Sequence, residues 1–148
     1  MSELPTPETV ASLVSEAAES MWGVPFTLVK GGNGKAGATP HSRTVLLEMS
    51  GANSLCVVVS SDEVGGAALG GIMFSCDRTE VSTGMIDDSL CELANILAGQ
   101  LKTLMAPTHV LGLPTVLPKK VFQECELSQA HLRIGQQDAT VCVTVAAA

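Results

Sequence analysis

The polar side chains best suited to chemistry in this sequence are Glu92 and Asn95, which stand three residues apart in the stretch 87–105. On a helix, residues three apart are neighbours one turn along the same surface. A carboxylate can bind a cation, and a neutral amide can both donate and accept hydrogen bonds. Asparagine is a poor helix former, so its use in mid-helix suggests that the amide makes a specific interaction. From the spacing alone, both residues could also be solvated side chains of an amphipathic helix.

The stretch 87–105 is predicted to be a long amphipathic helix that ends before Pro107. Residues at helical spacing form one apolar arc that should pack on a core, namely Leu90, Leu93, Ala94, Leu97, Leu101, Leu104 and Met105. The opposite face carries Asp88, Glu92, Asn95, Ile96, Gly99 and Thr103. Asp87, Asp88 and Ser89 are expected to cap the N-terminus of this helix.

Other familiar catalytic and metal-binding arrangements are not supported. The histidines lie in separate predicted elements without zinc-ligand spacing, and no GxSxG motif is present. Asp88 and Glu92 could begin a carboxylate metal site, but no further ligands accompany them, so no metal site is predicted. The glycine-rich stretch 31–37 departs from the phosphate-loop pattern at two positions and is expected to be a mobile loop.

Length and composition favour one acidic globular domain spanning 1–148. The chain has 8 basic and 15 acidic residues, no tyrosine, one tryptophan and three phenylalanines. Nucleic acid is not expected as a partner, because there is neither a basic stripe nor a set of aromatic side chains for stacking. The negative charge suits a basic or metal-containing protein partner as well as it suits solubility.

The cysteines and the hydropathy pattern indicate a cytoplasmic protein. The five cysteines are odd in number, lack CxxC spacing and lie in apolar settings typical of buried thiols, which points to a reducing compartment. No signal-peptide pattern and no apolar run of about 18 residues is present, so no membrane association is expected.

The element pattern predicts an α/β or α+β domain with a mostly antiparallel sheet and helices on one face. The predicted helices are a solvent-facing helix at 8–22, a helix capped by Asp62 and running to about 74, and the helix 87–105. The predicted strands are an edge strand at 26–30, a hairpin of central strands at 43–49 and 55–60, a strand entered through 112–118, and a second hairpin at 122–134 and 139–145. Four glycines in the helix after Asp62 are unfavourable for a helix, so they predict close packing on a neighbour or, alternatively, plasticity at a binding edge.

One segment resembles a known family. CELANILAGQL at 91–101, followed by GLPTVL at 112–117, resembles the CheX branch of the CheC/CheX chemotaxis phosphatases. That family is marked by a helix with Glu-x-x-Asn leading into Ile/Leu-x-x-Gly, and then by a Leu-Pro-Thr-Val-like connection. The likeness is tight over 88–118 and looser elsewhere, where the order of elements still agrees. The CheC branch has a second Glu-x-x-Asn on its first helix, which this chain lacks, so the pattern is CheX-like.

The resemblance implies a phosphatase for the phospho-aspartate of a CheY-like response-regulator receiver domain. By position, Glu92 would bind the regulator's lysine, and Asn95 would orient a water for in-line attack on phosphorus. The regulator would supply Mg²⁺, so no cofactor is expected in this chain. Asp88, Ile96 and Gly99 would contact the regulator, with Gly99 leaving room for its loops.

The resemblance also implies a homodimer whose sheets join across the subunits. Two other functions stay open at this point. A CheX-like domain could be a non-catalytic binding or assembly module, akin to flagellar switch adaptors, and an unrelated enzyme is the remaining alternative.

Overall fold

The computed structural model describes residues 4–29, 43–117 and 126–148. In these ranges the elements are α1 (Pro7–Trp22), β1 (Phe26–Leu28), β2 (Arg43–Ser50), β3 (Leu55–Ser61), α2 (Glu63–Phe74), a 3-10 turn (Arg78–Glu80), α3 (Thr83–Met105), β4 (Val110–Leu111), β5 (Thr115–Leu117), β6 (Leu127–Ile134) and β7 (Thr140–Ala147). The glycine-rich stretch 31–37, the end of the predicted first strand and the predicted strand start at 122 lie outside the described residues.

The strands of the described residues form one sheet in the order β1-β6-β7-β3-β2-β4, with β5 also paired to β2. Every pairing between them is antiparallel. The register aligns Val45 with Val59, and Val57 with Val145, so the valines stack on one face of the sheet. The predicted α+β class, the antiparallel sheet, both hairpins and the edge position of β1 are therefore confirmed.

The helices cover the face on which those valines lie. One apolar cluster joins Val14 of α1, Leu69 of α2 and Leu97 of α3 to the inward residues of β2, β3, β6 and β7. The opposite face of the central strands is also buried, for example at Val58 and Thr144. Burial on both faces explains why β3 reads as a continuous apolar run.

None of the helices in the described ranges has the length and apolar character needed to cross a bilayer.

α2 packs closely on α3 and on the segment just before α3. A Cβ atom added to Gly66 would lie 2.6 Å from Cγ2 of Ile86, and one added to Gly70 would lie 2.6 Å from Cγ1 of Val81. Both separations are too short for a real Cβ, so glycine at these positions lets α2 pack against Ile86 of α3 and against Val81, which precedes α3. The prediction that these glycines serve close packing is confirmed, as is the capping of α2 by Asp62, whose carboxylate accepts from the backbone N–H of Gly65 at 2.7 Å.

The predicted N-terminus of α3 was wrong. The helix begins at Thr83, where the Ser82 hydroxyl accepts from the backbone N–H of Met85 at 3.2 Å. Asp87, Asp88 and Ser89 lie in the second turn, where the backbone N–H groups are already bonded within the helix and need no cap. Asp87 instead pairs with Arg43, and the hydroxyl of Ser89 donates to the carbonyl of Met85 at 2.8 Å.

The C-terminal end of the predicted apolar arc was also wrong. Leu104 is 57% exposed and Met105 is 37% exposed, whereas the arc residues from Leu90 to Leu101 are buried. Leu101 before them and Ala106 after them are buried, so the exposure is confined to these two side chains of the arc. Helical spacing predicts which residues share a face, but not how far the partner surface extends along it.

Candidate functional site

The five residues predicted to act or bind lie along one outward face of α3. Asp88, Glu92 and Asn95 are exposed, and Ile96 and Gly99 are half-buried. They follow each other within three turns of the helix, so all five can contact one partner surface.

The face beneath them is fixed by the core. Leu90 and Leu97 are fully buried, and Leu93 is almost so. The Gln100 side-chain amide donates to the carbonyl of Leu13 at 2.8 Å, which joins α3 to α1. Glu92 and Asn95 therefore project from a backbone that is held on its opposite side, which suits a site that must orient a reacting group.

The side chains of Glu92 and Asn95 are available to a partner. Within the described ranges, no side-chain hydrogen bond or ion pair engages either of them. An exposed carboxylate can accept a cationic group, and an exposed amide can donate to one atom and accept from another at the same time. The chemistry that this pair can perform is to bind a cation and to orient a small polar molecule.

Gly99 leaves an open space one turn beyond Asn95. A Cβ atom added there would meet nothing within 4 Å, in contrast to the glycines of α2. The carbonyl of Gly99 accepts a hydrogen bond from the Thr103 hydroxyl at 3.2 Å. No packing demand within the described structure therefore explains the glycine at this helical position.

A groove that the sequence analysis missed lies beside Glu92. It has a volume of ≈ 350 Å³ and is lined by Met21, Trp22, Met73, Phe74, Asp88, Ser89 and Glu92. Its walls come from three elements, because the last residues of α1 and of α2 lie beside the second and third turns of α3. The one available sequence signal is that both helices end in a pair of large apolar residues, with Met21 53% and Phe74 46% exposed.

The groove is electronegative. Neither α1 nor α2 has a basic residue within its last turn. The last turn of α1 therefore adds partial negative charge beside the groove, whereas the last turn of α2 lies in contact with Arg78. Asp88 and Glu92 add carboxylates from α3. The arrangement favours a cationic group over an anionic one.

Cys91, between Asp88 and Glu92 in sequence, is not a nucleophile poised by its surroundings. Burial raises the pKa of the Cys91 thiol, and the negative charges of Asp88 and Asp87 raise it further. The thiolate is the reactive form, so the thiol stays largely protonated near neutral pH. Cys56, Cys76 and Cys91 are half-buried rather than buried as predicted, whereas Cys142 is buried. In the described ranges, no group of three or more His, Cys, Asp or Glu side chains is arranged to hold a metal ion.

No protein-family model matches the sequence, and neither does any curated protein. Solved structures do match over nearly the whole chain. The chemotaxis protein CheX from Vibrio vulnificus is 16% identical with a TM-score of 0.67, and the match covers 94% of this chain and 93% of that one. CheX in the CheX–CheY–BeF₃–Mg²⁺ complex from Borrelia burgdorferi is 14% identical with a TM-score of 0.68, and the match covers 98% and 99%.

A third similar structure is the FliM–SpeE complex from Helicobacter pylori. It matches with 14% identity and a TM-score of 0.57 over 93% of this chain and 80% of that one. Sequence identities this low establish shared architecture. This chain therefore has the CheC/CheX-like fold of chemotaxis proteins.

Proposed function

We propose that this protein is a phosphatase that hydrolyses the phospho-aspartate of a CheY-like receiver domain. The observation that carries the proposal is the pair Glu92 and Asn95, which are exposed and unengaged side by side on a firmly packed helix. A protein of the same fold, the CheX of Borrelia burgdorferi, forms a complex with CheY. The proposal implies a cytoplasmic protein, because receiver domains act there.

In the proposed reaction Asn95 orients the attacking water. A phospho-aspartate is an acyl phosphate and is already activated, so catalysis requires mainly the positioning of one water in line with the bond that breaks. The amide of Asn95 accepts a hydrogen bond from the water and stays neutral beside the phosphoryl oxygens. Water adds to phosphorus, the aspartate carboxylate leaves, and inorganic phosphate is released.

Glu92 holds the receiver in place in this proposal. Its carboxylate pairs with the receiver's active-site lysine one helical turn from Asn95, which fixes the amide over the phosphoryl group. Asp88, Ile96 and Gly99 contact the surrounding receiver surface. Mg²⁺ comes with the receiver, so this chain contributes no cofactor of its own.

We also propose that the protein is a homodimer. Val110 and Leu113, at and after the edge strand β4, are 68% and 86% exposed, and Val116 of β5 is 43% exposed. In the sequence, these residues follow the exposed last turn of α3 at Leu104. An exposed apolar sheet edge promotes association with other chains, and pairing with a second copy would cover it.

The test is single-turnover decay of phosphorylated receiver domains with wild type and with Asn95→Ala. Asn95 is exposed, so its truncation opens no cavity. We expect the rate to fall about a hundredfold, as for loss of one positioned hydrogen-bonding group in other enzymes. Asn95→Asp should not restore it, because a carboxylate would repel the phosphoryl oxygens. Asn53→Ala, which alters an exposed asparagine in the β2–β3 turn, is the matched control and should retain the full rate.

A binding or assembly module without catalysis is the second candidate. The similarity to FliM, which is seen in complex with SpeE, favours it. This function predicts that a receiver binds with measurable affinity but that its dephosphorylation is not accelerated. Full phosphatase activity in Asn95→Ala would contradict the proposed mechanism, and binding without any acceleration by wild type would establish the module instead.

A further inference from the structure

We propose that the groove beside Glu92 is the docking site for a second basic side chain of the receiver, an arginine or a lysine separate from the lysine that pairs with Glu92. The inference rests on the proposed function and specifies how the partner is selected. The groove is the ≈ 350 Å³ depression formed by Met21 and Trp22 of α1, Met73 and Phe74 of α2, and the outer face of α3.

The walls of the groove suit a long aliphatic stem. Met21 and Phe74 are about half exposed, and Trp22 and Met73 are partly buried beside them. Arginine and lysine bury their methylene groups along apolar surfaces of this kind while the charged head stays at the rim. An aromatic face also attracts a guanidinium or ammonium group directly. Methionine adapts its shape to the side chain that it receives.

The charges around the groove select a cation. Asp88 lies at its α3 wall, one turn before Glu92, and the C-terminal ends of α1 and α2 lack basic residues. A neutral apolar side chain would bury the walls but leave these charges uncompensated. An anionic side chain would be repelled by the two carboxylates and by the C-terminus of α1.

The groove is continuous with the proposed catalytic face, because Glu92 belongs to both. A receiver seated over Glu92 and Asn95 must therefore cover the groove or leave an apolar depression open at the edge of the interface. With Glu92 occupied by the receiver's lysine, Asp88 is the carboxylate that remains for a second cation. The volume lies at the lower end of the range for small-molecule pockets, about 300–1,000 Å³, and fits one large side chain.

The inference predicts that apolar and acidic groove residues both contribute to affinity. The variants are Phe74→Ser for the wall and Asp88→Asn for the charge. Their matched controls are Val64→Ser and Glu63→Gln, which are exposed residues at the other end of α2. Binding is measured with CheY-like receivers from the same genome, each loaded with Mg²⁺ and beryllium fluoride. We expect each groove variant to raise Kd about tenfold and each control to leave it unchanged.

Two further readouts distinguish docking from a general loss of structure. The dependence of Kd on salt should be shallower for Asp88→Asn than for wild type, because one charge pair is missing. Phe74→Tyr, which keeps the ring, should restore the affinity lost in Phe74→Ser. A photoreactive benzoylphenylalanine at position 74 should cross-link to a receiver segment that contains an arginine or lysine.

The possible failures can be told apart. If groove variants bind like wild type while Asn95→Ala still loses hydrolysis, the groove inference is wrong and the phosphatase function stands. Cross-linking to a segment without a basic residue would also overturn the inference. If no receiver binds to the wild-type protein, the proposed function fails and the inference fails with it.

Discussion

Arg43 and Asp87 form a two-point ion pair between the first residue of β2 and the second turn of α3. Nε of Arg43 is 2.8 Å from Oδ1 of Asp87, and Nη2 is 2.5 Å from Oδ2. The hydrogen bonds and charge of Asp87 raise the pKa of Arg43 above its usual value. The pair attaches the sheet to the turn of α3 that lies just before Glu92, so it helps to define the direction in which the proposed catalytic face points.

We predict a measurable coupling energy for this pair. The two side chains are 32% and 21% exposed, so solvent screens part of the attraction. A double-mutant cycle with Arg43→Met, Asp87→Asn and the double variant, measured by urea unfolding, should give a coupling of about 0.5–1 kcal/mol. A coupling of zero within error would show that the contact contributes nothing to stability.

Glycine substitutions should have opposite effects at Gly99 and Gly65. Gly99→Ala should raise the free energy of unfolding by about 0.5–1 kcal/mol, because alanine favours the helix and its Cβ meets nothing within 4 Å. Gly65→Ala should lower it by about 1–3 kcal/mol, because the added Cβ would overlap the carbonyl oxygen of Thr140. Chemical denaturation tests both variants.

Gly99 also tests the proposed interface. Gly99→Leu should fold, because the space beside it is open, but it should weaken binding of a beryllium-fluoride-loaded receiver by filling the space meant for the receiver's loops. Titration with the receiver measures the effect. Unchanged affinity in a well-folded Gly99→Leu variant would remove this part of α3 from the interface.

Glu92→Ala should weaken receiver binding more than Asn95→Ala does. An ion pair to the receiver's lysine stabilises the bound state and the transition state alike, whereas orientation of a water matters mainly in the transition state. The difference in Kd between wild type and Glu92→Ala should shrink as the salt concentration rises. Equal affinity of the two proteins at low salt would exclude Glu92 from the contact.

The thiol of Cys91 should react with iodoacetamide at higher pH in the folded protein than in the protein unfolded by urea. The folded-state pKa is raised by burial and by Asp88 and Asp87, so the folded protein retains this proton at a pH where the unfolded chain has lost it. The contribution to stability is therefore full below the unfolded pKa and falls as pH rises. Site-resolved mass spectrometry after timed alkylation measures the shift, and identical profiles in the two states would contradict it.

The proposed dimer should depend on the apolar edge around β4. Light scattering over a dilution series should give a dimer for wild type at micromolar concentration and a monomer for the Val110→Lys, Leu113→Lys double variant, because charges at the edge oppose pairing. Val64→Lys, at an exposed apolar site on α2, is the control and should stay dimeric. A wild-type protein that is a monomer throughout would contradict the dimer.

Local pattern was sufficient to predict which side of α3 faces solvent. Leu90, Leu93, Leu97 and Leu101 recur at helical spacing and are buried, so Glu92 and Asn95 had to lie on the outer face. Runs of strand-forming residues separated by turn residues likewise predicted both hairpins, and Asp62 was identifiable as a cap. These features depend on neighbours within a few residues along the chain, which is the information that a single sequence carries directly.

The remaining features depend on contacts between residues distant in sequence. The first two turns of α3 contact other elements, because Ile86 lies against Gly66 of α2 and Asp87 pairs with Arg43 of β2. Leu104 is exposed although it shares the apolar arc of α3, because no other element covers it in the described structure. The groove beside Glu92 exists because α1 and α2 end at the same point along α3. No periodicity within one segment encodes where another segment stops, so the tertiary structure alone decides the shape and charge of this surface.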